Sequence, residues 1–221
     1  MLKFIESKKG NALLIVISIL LFALCFLKGD SAKNLEIYGT AFGLIQAVLI
    51  MFNKKENWIF YNSYIIAFLI LSIIFKLYGD VFENAIYIVL GIIGTMSWYK
   101  AKTNKDSKVS YMNKKERIIA ATIMLVISMV MYIYLKTTND PQPMLDAITT
   151  SMGLVATYLM AKKKVEAWVI WFIDDILMAI IYFLIPEQPI YLLALNIIWT
   201  LLAVGSFIAW HKLAKEGKKG C

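Results

Sequence analysis

The sequence predicts an all-α polytopic membrane protein: two parallel three-helix repeats joined by one linker helix (3+1+3), with an extra helix ahead of them. Three observations carry this prediction. Sixty per cent of the 221 residues are hydrophobic, and apolar runs recur at the ~20-residue length that a ~30 Å hydrocarbon layer demands of a spanning helix. The basic residues gather in alternate loops. The chain also repeats itself at an offset of 110 residues.

In chain order, the spans are expected at 11–27, 35–52, 58–78, 81–99, 117–135, 144–161, 166–185 and 188–210. The first follows a lysine-rich start and has the look of a signal peptide, but no small-x-small cleavage site follows it. It is read as a retained extra helix in an N-terminal segment, 1–34. Residues 35–100 form the first repeat, and 101–143 hold a polar loop and the linker helix. Residues 144–221 form the second repeat and a basic tail. The stretch 100–117 is too short for a domain and is expected to be a mobile cytoplasmic connector.

Charge fixes the orientation. Segments 1–10, 53–57, 100–117, 162–165 and 211–221 share one side and hold 19 of the 23 basic residues. Only Lys28, Lys33, Lys76 and Lys136 face the other side, beside Asp80, Glu83, Asp140 and Glu187. The positive-inside rule then places both termini in the cytoplasm. Net charge of +8 is thus a topology signal and not a nucleic-acid footprint, since no soluble segment interleaves aromatic and basic residues. Cys25 and Cys221 offer neither a disulfide framework nor a metal spacing. His211, at the expected end of the last span, suits a helix C-terminus and headgroups.

Repeat matches at the offset of 110 pair Thr40, Gly43, Lys54, Glu56 and Trp58 with Thr150, Gly153, Lys164, Glu166 and Trp168. Tyr61 meets Trp171, and Ile65 meets Asp175. Further on the offset becomes 112, where Asn84, Tyr87, Trp98 and Lys100 meet Asn196, Trp199, Trp210 and Lys212. Three helices and one linker give both repeats the same orientation. Parallel repeats of this kind point to a transporter with its site near the midplane, where the repeats meet.

Within the second repeat, Trp168, Trp171 and Asp175 stand at i, i+3 and i+7 on one helix face. A carboxylate at bilayer depth is costly unless it faces protein or water, so it marks a functional site by default. Two indoles beside an acid suit a planar, polar or cationic small molecule. Trp168 lies close enough to the interface to serve instead as an aromatic-belt anchor, and Trp98 and Trp210 are expected in that role. Asn196 is either interhelical glue or a binding group. Thr150 and Gln46 are further midspan polar candidates. Asp174 points about 100° from Asp175, which argues against a shared acid–base dyad. With no His/Cys set, phosphate loop or activated serine, neither catalytic residues nor a cofactor or metal are predicted.

The runs Asp146-Ala-Ile-Thr-Thr-Ser-Met-Gly and Glu166-Ala-Trp-Val-Ile-Trp-Phe-Ile-Asp-Asp, with Glu56-Asn-Trp, Leu77-Tyr-Gly-Asp and Gly94-Thr-Met-Ser-Trp98, resemble the PnuC-type vitamin transporters over roughly 35–212. The resemblance implies a fold like that of full-length SWEET transporters. It implies carriage of nicotinamide riboside, or in relatives thiamine, riboflavin or deoxynucleosides, across the bacterial inner membrane by facilitated diffusion, with a cytoplasmic kinase trapping the product. By residue-wise carry-over, Trp168, Trp171 and Asp175 fill the family strip, and Asn196 and Trp199 fill an Asn-x-x-Trp pattern; Tyr61, matched to Trp171 by the repeat, is the first-half candidate. Thr157 stands where many relatives carry glutamine. A thiamine transporter, an intramembrane enzyme and a non-transporting sensor stay open as other readings, as does assembly into a homo-oligomer.

Overall fold

A computed structural model describes residues 8–27, 29–75, 78–100, 108–138, 141–184 and 190–219. The basic start at 1–7, Lys28, Lys76, the connector centre at 101–107, Asp140, Glu187 and Cys221 lie outside the described residues. Among the described residues there are eight helices and no strand: α1 Lys8–Leu24, α2 Ser31–Met51, α3 Asn57–Ile74, α4 Tyr78–Lys100, α5 Lys114–Leu135, α6 Pro143–Ala161, α7 Glu166–Leu184 and α8 Ile190–Lys219. Six of these are long and apolar enough to cross a membrane, α1 being shorter. α7 carries three acids, Glu166, Asp174 and Asp175, among its 19 residues. The chain is a multi-pass membrane protein.

The helix ends follow from local chemistry. Asp30 caps α2 by accepting hydrogen bonds from the Ala32 and Lys33 amides at 2.9 and 3.3 Å. Asn113 and Glu116 form a reciprocal capping box on α5. Pro143 opens α6 in the first turn, where its missing N–H costs nothing. The last helix runs nine residues beyond the expected end at 210, to Lys219. The apolar run stops there, but Lys212, Leu213, Ala214, Lys215 and Glu216 are all good helix formers, so the helix continues as a polar extension.

The helices form two compact units, residues 1–100 and 101–221. In the first, α3 packs between α2 and α4, and α1 rests on α2 and α3. Its core gathers Leu35, Tyr38, Phe42, Phe60, Ala67 and Leu71, with Tyr38 stacked on Phe42 at 4.1 Å. Lipid is as apolar as leucine, so association inside the membrane depends on close packing at small residues. Gly94 is such a place: a Cβ there would lie under 3.0 Å from the Trp58 ring, and the equivalent atom at Gly91 would press on Asn62 and Tyr61. In the second unit, α6 packs against α5 and α7, and α7 against α8. The helix expected to link the repeats therefore belongs to the second unit. Only Ala120 of α5 is buried; Ile119, Ile123, Leu125, Met129 and Ile133 are exposed, as a lipid-facing helix requires.

The turns after α2 and α6 repeat each other atom for atom. Asn53 and Lys163, 110 residues apart, both adopt left-handed backbone, φ 54° and 55°. In the first turn Asn53 N bonds Ile50 O and Lys54 N bonds Leu49 O. In the second, Lys163 N bonds Met160 O and Lys164 N bonds Leu159 O. Both are Schellman closures of a helix C-terminus. The sequence match at the offset of 110 therefore coincides with a shared turn geometry at these two places.

Candidate functional site

Each of the two short turns throws a glutamate and then a tryptophan into the first turn of the next helix, and the two halves then diverge. Glu56 is buried and accepts from the Asn11 amide at 3.4 Å. Glu166 accepts from the Met112 amide at 3.0 and 2.9 Å and pairs with Arg117 at 2.9 Å. Residues 108–112 are thereby fastened. Ser110 N bonds Lys163 O, and Val165 N bonds Ser110 O, while Tyr111 shares a hydrogen bond with His211. The expectation of a mobile connector over 100–117 fails for its second half, because backbone pairing and the Glu166 carboxylate hold it on the α6–α7 turn. His211 is likewise not at a helix end; it sits within α8, half-buried and stacked on Phe207.

The tryptophans expected as interfacial anchors are core. Trp98 packs edge-on against Trp58 at 6.0 Å, and Trp210 edge-on against Trp168 at 5.2 Å. Trp58 and Trp210 have no exposed surface, and Trp168 keeps 5 %. Sequence reading assigned these indoles to the belt because they stand before basic residues. The ring pairs across helices carry more contact than headgroups offer.

Beyond this shared pair, whose Trp58 and Trp168 indole N–H groups both lack a partner among the described residues, three counterpart positions differ in their surroundings. Tyr61 is 1 % exposed and packs edge-on against Trp58 and Tyr64. Its counterpart Trp171 is half-buried, with an indole N–H that has no acceptor among the described residues. Ile65 is buried core. Its counterpart Asp175 is 8 % exposed and has no hydrogen-bond or ion-pair partner among the described residues. Asn84 donates to Ser72 Oγ at 3.3 Å and Asp80 O at 2.8 Å. Its counterpart Asn196 is 7 % exposed, and its amide bonds no described residue, so it does not act as interhelical glue within them.

Folded proteins rarely leave buried polar groups unpaired, because each costs about 1–3 kcal/mol. Among the described residues, the α6–α7–α8 bundle also leaves the Thr157 and Ser206 hydroxyls and the Trp168 indole N–H without partners. Ser206, which sequence reasoning missed, stands 112 residues after Gly94, a match hidden by the change of residue. Thr150 is half-buried on α6, Trp199 half-buried on α8, and Gln46 buried on α2 with an unpaired Nε2. Asp174 is buried beside Asp175. Trp171 and Asp175 thus share one face of α7, an aromatic plane with an acid one turn on. Among the described residues no group of three or more His, Cys, Asp or Glu could hold a metal ion.

Comparison with known proteins follows the same lines. Residues 33–212 match the nicotinamide mononucleotide transporter family. The nicotinamide riboside transporter PnuC of Neisseria mucosa is 24% identical over 185 residues, 79% of this chain and 70% of that protein. The Escherichia coli protein of the same name is 21% identical over 216 residues, 85% and 89% of the two chains. The crystal structure of the vitamin B3 transporter PnuC aligns with a TM-score of 0.67 at 22% identity, over 93% of this chain and 90% of that one, a likeness of fold. The chain belongs to the nicotinamide mononucleotide transporter family.

Proposed function

We propose, with that family membership as the premise, that this protein carries nicotinamide riboside across a bacterial-type inner membrane. Movement is by facilitated diffusion, and a cytoplasmic kinase draws uptake forward by phosphorylating the product. The helices take the order α2–α4, linker α5, α6–α8, with α1 as the extra helix and both termini cytoplasmic, as the loop charges support. No catalytic step is assigned to the protein.

One observation carries the reading above the rest: the Asp175 carboxyl is buried on the Trp171 face of α7 with no pairing group among the described residues. An uncompensated buried carboxylate is expensive, and a cationic pyridinium supplies the missing charge. The Trp171 ring packs against that pyridinium. Its free N–H, the Asn196 amide and the Thr150 hydroxyl address the carboxamide and ribose. Trp168, fastened to Trp210, frames the seat, and Trp199 completes it from α8. Gln46 and Tyr61 have no assigned step. The same acid suits a thiazolium, so thiamine is the second reading.

The test is uptake of labelled nicotinamide riboside and labelled thiamine into proteoliposomes without an ion gradient. Nicotinamide riboside should equilibrate, and Asp175→Asn should weaken its uptake more than that of an uncharged nucleoside. Equilibration of thiamine alone would select the second reading, and movement of neither would overturn transport.

A further inference from the structure

The first unit contains a cavity of about 450 Å³ that the family match does not explain. It opens because α1 packs against α2 and α3 but, among the described residues, not against α4. Thr95 and Tyr99 of α4 nonetheless line it from across the gap. One hydrogen bond spans the gap, from the Tyr99 hydroxyl to the Asn11 side chain.

The lining is polar by name and apolar in effect. Ser18 donates to Leu14 O, Ser63 to Ile59 O and Thr95 to Gly91 O, all at 2.8 Å. Tyr38 donates to Ser18 O at 3.2 Å, and the Asn62 amide donates to Trp58 O and Thr95 Oγ1. The Trp58 indole N–H has no partner among the described residues but is itself buried and not open to the cavity. A polar solute such as a nucleoside would therefore lose water and gain little in return. Hydrocarbon loses nothing there. Ile15, Ile19 and Ile66, which line the cavity, are exposed on α1 and α3, so it is reached from the hydrocarbon layer. Beside it, Lys55 holds its ammonium 5.1 Å from the Tyr99 ring centroid, a cation at the end where sequence charge puts the cytoplasmic headgroups.

We propose that this cavity is a phospholipid site: an acyl chain fills the gap between α1 and α4, and an anionic headgroup sits at Lys55. The lipid supplies the packing that α1 and α4 do not give each other. The site is separate from the α7 strip and does not depend on the cargo.

The test is native mass spectrometry of the full chain, purified with phosphatidylglycerol or phosphatidylcholine of identical chains. One phospholipid should stay bound per chain, with phosphatidylglycerol favoured about fivefold, the worth of one lysine near a headgroup. Lys55→Glu should abolish the preference, and Ser63→Trp, which fills the cavity, should abolish retention. Ile15→Trp at the mouth gives the same comparison if Ser63→Trp fails to fold. A wild-type chain that keeps no lipid, or equal retention by the filled variants, would overturn the site. Equal retention of the two lipids by the wild type would overturn the headgroup assignment.

Discussion

Replacing Trp171 by alanine, and separately Trp168, distinguishes a binding indole from a structural one on the same helix. Trp168 is 5 % exposed and packed edge-on against Trp210. Its removal opens a hole between α7 and α8, a change that costs about 3–5 kcal/mol for a large aromatic in a core. For a chain of this size that lowers Tm by roughly 6–20 °C. Trp171 is half-buried, and its indole N–H is already unpaired. Truncation there loses partial burial worth about 1–2 kcal/mol but relieves a donor that costs about 1–3 kcal/mol, so Tm should hardly change. A ring stacked on an aromatic side chain is worth about 1–3 kcal/mol, so the half-saturating concentration for nicotinamide riboside should rise about 5- to 150-fold. Trp171→Phe, which keeps a ring and loses the donor, should fall between. The assay pairs thermal unfolding in detergent with uptake into proteoliposomes. Unchanged uptake by Trp171→Ala in folded protein would refute the site, as would a fall in Tm matching that of Trp168→Ala.

Three further perturbations follow from the packing. Gly94→Ala drives a methyl into the buried Trp58 ring and should cost at least about 1–3 kcal/mol. Gly79→Ala, where a Cβ meets nothing within 4 Å, should be neutral or stabilise by up to about 1 kcal/mol; thermal unfolding of both variants checks the contrast. Glu166→Ala takes the acceptor from the Met112 amide and should cost about 1–3 kcal/mol. Arg117→Ala removes only an exposed partner and should cost less than about 1 kcal/mol, so a larger loss from Arg117 would mean the ion pair, not the backbone bond, holds the connector. Burial pushes the Lys163 amine down to about 8 from the ordinary 10.5. The unfolded chain then binds more protons between those values, so stability should rise with pH from about 8 to 10.5. Lys163→Asn, which tolerates the left-handed backbone as Asn53 does, should lack that rise in a pH series of melting curves.

Much of the fold was legible because membrane helices announce themselves by length and charge. The eight helices and the short polar breaks at Lys54 and Lys164 were legible in the sequence. What stayed hidden depends on partners across helices. Nothing local distinguishes a tryptophan at a headgroup from one packed on another tryptophan, so Trp98 and Trp210 were misread. Composition marks 100–117 as loop, but cannot tell that Ser110 pairs with Lys163 and Val165. The α1–α4 gap arises from a packing that periodicity does not encode.

The repeat proved most useful through its failures. Where two positions matched by the offset differ, a polar residue with partners at one and none among the described residues at the other points to a difference in task. In the first copy, Tyr61 is packed among rings, an isoleucine stands at position 65, and Asn84 is bonded to Ser72 and Asp80. In the second, the Trp171 indole N–H, the Asp175 carboxyl and the Asn196 amide have no partners among the described residues. If these were tolerated defects of a drifting copy, restoring the first-half solution would stabilise the protein and spare transport. If they are held open for a ligand, Asp175→Ile should raise Tm and lose uptake together. That joint outcome follows from a buried carboxyl with no partner, and stabilisation with uptake intact would sink the binding role of Asp175.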